Sequence, residues 1–155
     1  MDEKPTHDEP NRVEIDIRSS FEMVDLVQVV FESLSSQVGF GSDDSHWMSV
    51  AIRESVTNAV RHGNKMDPEK RVVVRFEYEE SEFSVSVSDE GEGFDPQEIP
   101  DPLAEENLLR ASGRGIFFMK NFMDDVHYHF EPQRGTRVTM LKRVGGDDAG
   151  NAEDA

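Results

Sequence analysis

The chain has no cysteine, which excludes disulfide and thiolate chemistry. It also has no apolar run near the roughly 18 residues that span a bilayer, and its acidic start, Met1 to Pro10, lacks the basic opening of a signal peptide. These features lead to the expectation of a soluble, cytoplasmic protein. Basic residues are scarce: 16 Lys and Arg stand against 33 Asp and Glu, for a formal charge of −17. Such a balance opposes the phosphate backbone of nucleic acid and suits a basic protein partner. Two phosphate-binding signatures are absent as well, the Walker Gly-x-x-x-x-Gly-Lys-Ser/Thr and the Gly-x-Gly-x-x-Gly fingerprint. No internal repeat is visible.

A length of 155 residues fits one domain with a real core, despite a mean hydropathy of −0.63. Residues 1–11 and 144–155 are acidic and poor in apolar side chains, so they are expected to be disordered tails around a domain at 12–143. Removing the charge of residues 1–10 and 147–155 leaves −10 on the middle, so the acidity belongs to the domain too.

Val13, Ile15 and Ile17 alternate with acids, the period of a half-buried strand. Phe21, Val24, Val27, Phe31, Leu34 and Val38 recur every three or four residues behind Ser19 or Ser20, and Gly39 and Gly41 end that first helix. Ser42 or Asp43 is the expected cap of a second helix, which stops near Gly63. Val72 to Tyr78 and Phe83 to Val87 read as a hairpin whose second strand runs into Asp89. A Pro-rich acidic loop, a short helix at 103–110, a helix at 116–123 and strands at 126–130 and 136–142 complete the order. The pattern predicts an α+β two-layer sandwich: a mixed, mainly antiparallel sheet with helices on one face.

Three segments carry candidate chemistry. Glu54 and Asn58 stand four apart, which places a carboxylate and an amide oxygen on one side of a helix, and His62 continues the line. A carboxylate can accept a hydroxyl proton, and an amide oxygen is a hard neutral ligand for Mg²⁺. The bland alternative is a solvated helix face, but this pair interrupts the apolar stretch of Ala51, Val56, Ala59 and Val60. Asp89-x-Gly91-x-Gly93-Phe94 follows a strand. Its glycines let backbone approach a flat ring and its Asp can accept from an exocyclic amino group, although an acidic turn is an equal competitor. A calcium loop is not, since its third and twelfth places hold Gly91 and Pro100. Gly113-Arg114-Gly115 precedes an apolar helix, whose free N–H groups suit phosphates, although a loop and helix cap explain it as well. Gly135-Thr136 adds a small residue and a hydroxyl, although a hairpin turn explains the pair just as easily.

Taken in this order, the segments resemble the GHKL ATPases, most closely the anti-sigma-factor serine kinases, over roughly residues 12 to 143. The resemblance implies the Bergerat, or histidine-kinase-like, fold and ATP with Mg²⁺ as cofactors. It further implies Glu54 as catalytic base, Asn58 as the metal ligand, and Asp89 reading adenine with Thr136. Gly91 and Gly93, with Phe94 in the same box, belong to the adenine side in that family, and Gly113, Arg114 and Gly115 to the phosphate lid. Arg61 or His62 would contact phosphates. Arg114 departs from the apolar residue usual in relatives. The implied activity is a serine/threonine protein kinase that phosphorylates a STAS-type anti-anti-sigma protein and sequesters a sigma factor, as a homodimer. A nucleotide-dependent binding module without phosphotransfer and a detached histidine kinase catalytic domain are the alternatives.

Overall fold

A computed structural model describes residues 9–91, 120–131 and 134–145. Five strands, two α-helices and a π-helical turn (Ala59–Gly63) are assigned there: β1 (Asn11–Arg18), α1 (Phe21–Val38), α2 (Ser42–Asn58), β2 (Arg71–Tyr78), β3 (Glu82–Asp89), β4 (Asp125–Glu131) and β5 (Gly135–Arg143). The strands form one sheet in the order β1-β2-β3-β5-β4. Each of these pairings is antiparallel. The expected mixed sheet is thus antiparallel throughout its described strands. Of the expected tails, residues 1–8 and 146–155 lie outside the described residues, as do the helix at 103–110 and most of the helix at 116–123; Asn11, expected in the N-terminal tail, already belongs to β1.

Alternation decides which side of the sheet is covered. Ile15 pairs with Val74, Val74 with Val87 and Val87 with Val138, so one inward row crosses four strands. Phe76, Val85 and Met140 form the next row and are fully buried. Against these rows α1 lays Val24, Val27, Phe31 and Leu34, and α2 lays Met48, Ala51, Ile52 and Val56. Phe31 lies at the centre, edge-on to Phe83 at 5.8 Å and stacked near Phe76 at 6.4 Å. Burying a side chain of this size contributes about 1.5–3 kcal/mol.

The opposite face is polar because the intervening residues are Ser84, Ser86, Ser88, Arg75 and Glu77. Arg75 meets Glu14 at 2.9 Å and Arg12 meets Glu77 at 3.1 Å, each a direct cross-strand pair of β1 and β2. Exposed pairs of this kind add about 0–1 kcal/mol each. Their charges also discourage another strand from adding to the open edge of β1.

The helix ends follow local chemistry. The Ser20 hydroxyl accepts from the Glu22 N–H, and Gly39 closes α1 in a left-handed conformation. For α2 the cap position is Gly41, not Ser42 or Asp43, and no side chain caps it. Asp43 and Asp44 instead occupy the first turn, where carboxylates favour the positive end of the helix. The helical run does not stop at Asn58 but passes into a π-helical turn at Ala59–Gly63. No helix among the described residues is long and apolar enough to cross a membrane.

Candidate nucleotide site

Asp89 continues the inward parity of Phe83, Val85 and Val87 and pairs with Val72 at the end of β3. The strand period therefore turns its carboxyl toward the helical layer. Thr136 shares the parity of Val138 and Met140 at the start of β5, so it faces the same side. Oδ1 of Asp89 accepts from the Gly91 N–H at 2.9 Å and from the Thr136 N–H at 3.2 Å. Burial raises the pKa of this carboxyl, and those two N–H groups and Lys70 oppose the rise. Desolvation wins because it penalises the whole charge, whereas each donor stabilises one side of it.

Glycine is required at two neighbouring positions. A Cβ on Gly63 would come within 2.3 Å of Asp89 Oδ2, and one on Gly135 would lie 2.0 Å from the Asp89 carbonyl oxygen. Gly135 also has a φ of +115°, which L side chains rarely adopt. The π-helical turn and the β4–β5 hairpin thus close on Asp89 from two directions. A concavity of about 140 Å³ at this end of the sheet is bordered chiefly by Ser88, His129, Glu131 and Arg137; these residues have the outward parity, so it opens on the polar face and is not the space that the Asp89 carboxyl faces.

Glu54 and Asn58 both lie within α2, so the four-residue spacing does place them on one helix face, and both are half-buried. The same helical run reaches Asp89 through Gly63 one turn later. Thus the helix and the end of β3 are brought together, with no Walker loop involved. His62 is exposed. Arg61 is also exposed, and its guanidinium rests 5.5 Å over the Phe21 ring at the start of α1. Gly93, Phe94, Gly113, Arg114 and Gly115 lie outside the described residues.

No group of three or more His, Cys, Asp or Glu able to hold a metal occurs among the described residues. Mg²⁺ is compatible with that donor set, because it commonly takes one or two protein oxygens and completes its shell with water and substrate phosphates. The amide oxygen of Asn58 is a donor of the right hardness, on a half-buried residue one helical turn from Glu54.

Two residues escaped the sequence reading. Gly63 reads there only as a helix stop, and Asn64 is not distinguished at all. Yet Asn64 is fully buried and bonded to three chain segments. The left-over signal was a Gly-Asn pair directly after an apolar helix, which more often marks a plain helix end.

The fold and this arrangement define a protein class: the chain belongs to the histidine kinase-like ATPase domain family, whose profile matches residues 17–142. Among characterised proteins it is similar to the serine-protein kinase RsbW of Staphylococcus aureus, 29% identical over 90% of this chain and 91% of that one. The serine-protein kinase RsbW of Bacillus subtilis is also 29% identical, over 87% of each chain. Among solved structures, the RsbU and RsbW domains of a Mycobacterium tuberculosis protein share the fold, with a TM-score of 0.61 at 19% identity over 86% of this chain. This chain spans 32% of that longer one. The mycobacterial sensor histidine kinase MprB superposes with a TM-score of 0.54 at 17% identity, over 86% of this chain and 98% of its own.

Proposed function

We propose that this chain is an ATP-dependent serine/threonine protein kinase of the cytoplasm. In this reading it phosphorylates a STAS-type anti-anti-sigma protein and, as a homodimer, sequesters a sigma factor. One observation carries the reading: Asp89 is turned inward against the end of the helical run that bears Glu54 and Asn58. Base recognition and phosphate chemistry then have neighbouring sites. The name serine-protein kinase, borne by relatives that match nearly end to end, supports the choice of hydroxyl acceptor.

Asp89 accepts from the adenine amino group, with Thr136 and the Gly91 backbone beside the ring and Gly93 and Phe94 continuing that wall. The Gly113-Arg114-Gly115 stretch covers the phosphates, and Arg61 or His62 reaches them from the helix end. Asn58 holds Mg²⁺, which when bound neutralises phosphate charge. Glu54 takes the proton of the partner's serine Oγ as that oxygen bonds to the γ-phosphorus. The bond from phosphorus to the β,γ-bridging oxygen breaks, and ADP leaves. The acidic surface suits a basic region of the sigma factor, chiefly by accelerating encounter.

The test is incubation with Mg-ATP and the STAS protein, followed by mass spectrometry for phosphoserine. Asn58→Ala is expected to abolish Mg²⁺-dependent ATP binding. Glu54→Ala should keep binding and lose transfer by about 10²–10⁴-fold. ATP binding without phosphoserine would instead mark a nucleotide-dependent binding module, and acid-labile phosphohistidine a histidine kinase domain.

A further inference from the structure

Asn64 is fully buried, and every donor of its amide is used. Nδ2 donates to Ser19 Oγ at 2.7 Å and to the Arg71 carbonyl at 2.9 Å, while Oδ1 accepts the Glu90 N–H at 2.8 Å. Ser19 Oγ in turn donates to the Lys70 carbonyl at 2.7 Å. One side chain therefore joins the β1–α1 junction, the start of β2 and the residue that follows Asp89. A buried network of this kind is rigid when complete and costly when broken.

The surrounding backbone is unusual. Asn64 leaves the π-helical turn, and Lys65 and Met66 follow with φ of +51° and +61°. Two successive non-glycine residues in the left-handed region persist only where neighbouring structure over-determines them, a condition common beside functional sites. Here the Met66 N–H is held by the Val60 carbonyl at 2.9 Å. Glu90 is tied a second time, because its carboxylate accepts the Arg71 N–H at 2.9 Å. The Gly91 N–H reaches back across Glu90 to Asp89 Oδ1 at 2.9 Å.

We infer that Asn64 is a positioning residue for base recognition: by holding the Glu90 N–H, it fixes the turn that aims the Asp89 carboxyl at the exocyclic amino group of adenine. The inference rests on the reading of Asp89 as adenine acceptor. Asn64 makes no hydrogen bond to Asp89, so it acts through Glu90 and Gly91. Losing it leaves the Glu90 N–H without its partner and frees the Gly91 N–H to leave Oδ1. Selectivity for the base then falls, while phosphate contacts stay.

The experiment compares ATP with inosine triphosphate, which carries oxygen in place of that amino group, by calorimetric titration in Mg²⁺ buffer. Asp89→Asn tests the underlying reading, and an unchanged preference for ATP there would overturn it together with the inference. Given an effect at Asp89, Asn64→Ala is expected to reduce the preference for ATP by about tenfold, the scale of one well-placed hydrogen bond. Ser19→Ala loosens the same network without touching Glu90 and should stay within about twofold of the parent. An unchanged ratio in Asn64→Ala, or an equal collapse in Ser19→Ala, overturns the positioning role and leaves the Asp89 reading standing. Should Asn64→Ala fail to fold, Asn64→Ser, whose hydroxyl falls short of Glu90, gives the same decision.

Discussion

The carboxyl of Asp89 accepts two backbone N–H groups, yet burial still raises its pKa. A carboxyl with a folded pKa above its unfolded value opposes folding once ionised. The stability it allows is complete below the unfolded pKa and is lost as pH rises through the folded one. Asp89→Asn removes that ionisation and keeps an oxygen for the Gly91 and Thr136 N–H groups. Its Tm is therefore expected to equal or exceed the parent's at pH 7, with the difference closing as pH falls into the ordinary carboxylate range. Thermal unfolding followed by circular dichroism across pH checks this, and loss of ATP binding in the same variant would show that stability is given up here for recognition. Glu131 differs: its pKa is lowered, chiefly by the hydrogen bond with His129, but the pair is solvated and adds little to stability.

At the scale of elements, the β4–β5 hairpin serves the site by carrying Thr136 to Asp89. Gly135 lets it approach, with its left-handed backbone pressed against the Asp89 carbonyl. Gly135→Ala meets both obstacles and is expected to cost about 1–3 kcal/mol of stability. Urea unfolding measures that loss. ATP affinity should fall further than in a hairpin variant distant from Asp89. The strands and α1 were legible in sequence because their periods are local: Val13, Ile15 and Ile17 alternate, and Phe21 to Val38 repeats every three or four residues. The start of α2 was less so: Ser42 and Asp43 both suit a cap by residue type, but the helix begins at Ser42 with Gly41 at the cap position and Asp43 and Asp44 in the first turn. The π-helical turn was not legible, because Ala59 to Gly63 has the composition of an ordinary helix end.

Across the whole molecule, a net charge of −17 sets a repulsion that exposed ion pairs offset only in part. Each such pair adds about 0–1 kcal/mol and is itself screened by salt. The Debye length shrinks from about 10 Å at 0.1 M to about 3 Å at 1 M salt, so the summed repulsion is relieved more than the few pairs are weakened. The Tm is expected to rise with NaCl over that range, as scanning calorimetry would register. A falling Tm would mean that the cross-strand pairs on β1 and β2 dominate.

The sequence by itself determined the alternation that makes one sheet face apolar, the helix that carries Glu54 and Asn58 together, and the strand that delivers Asp89. Each of these needs only neighbours within a few residues along the chain. Tertiary structure decided what surrounds Asp89: Gly63 against its carboxyl, Gly135 against its carbonyl, and Asn64 beneath Glu90. Asn64 finds Glu90 across 26 residues and Ser19 across 45. Those separations leave no periodic trace, because burial and hydrogen bonding at such a point arise only once the helical layer closes on the end of the sheet.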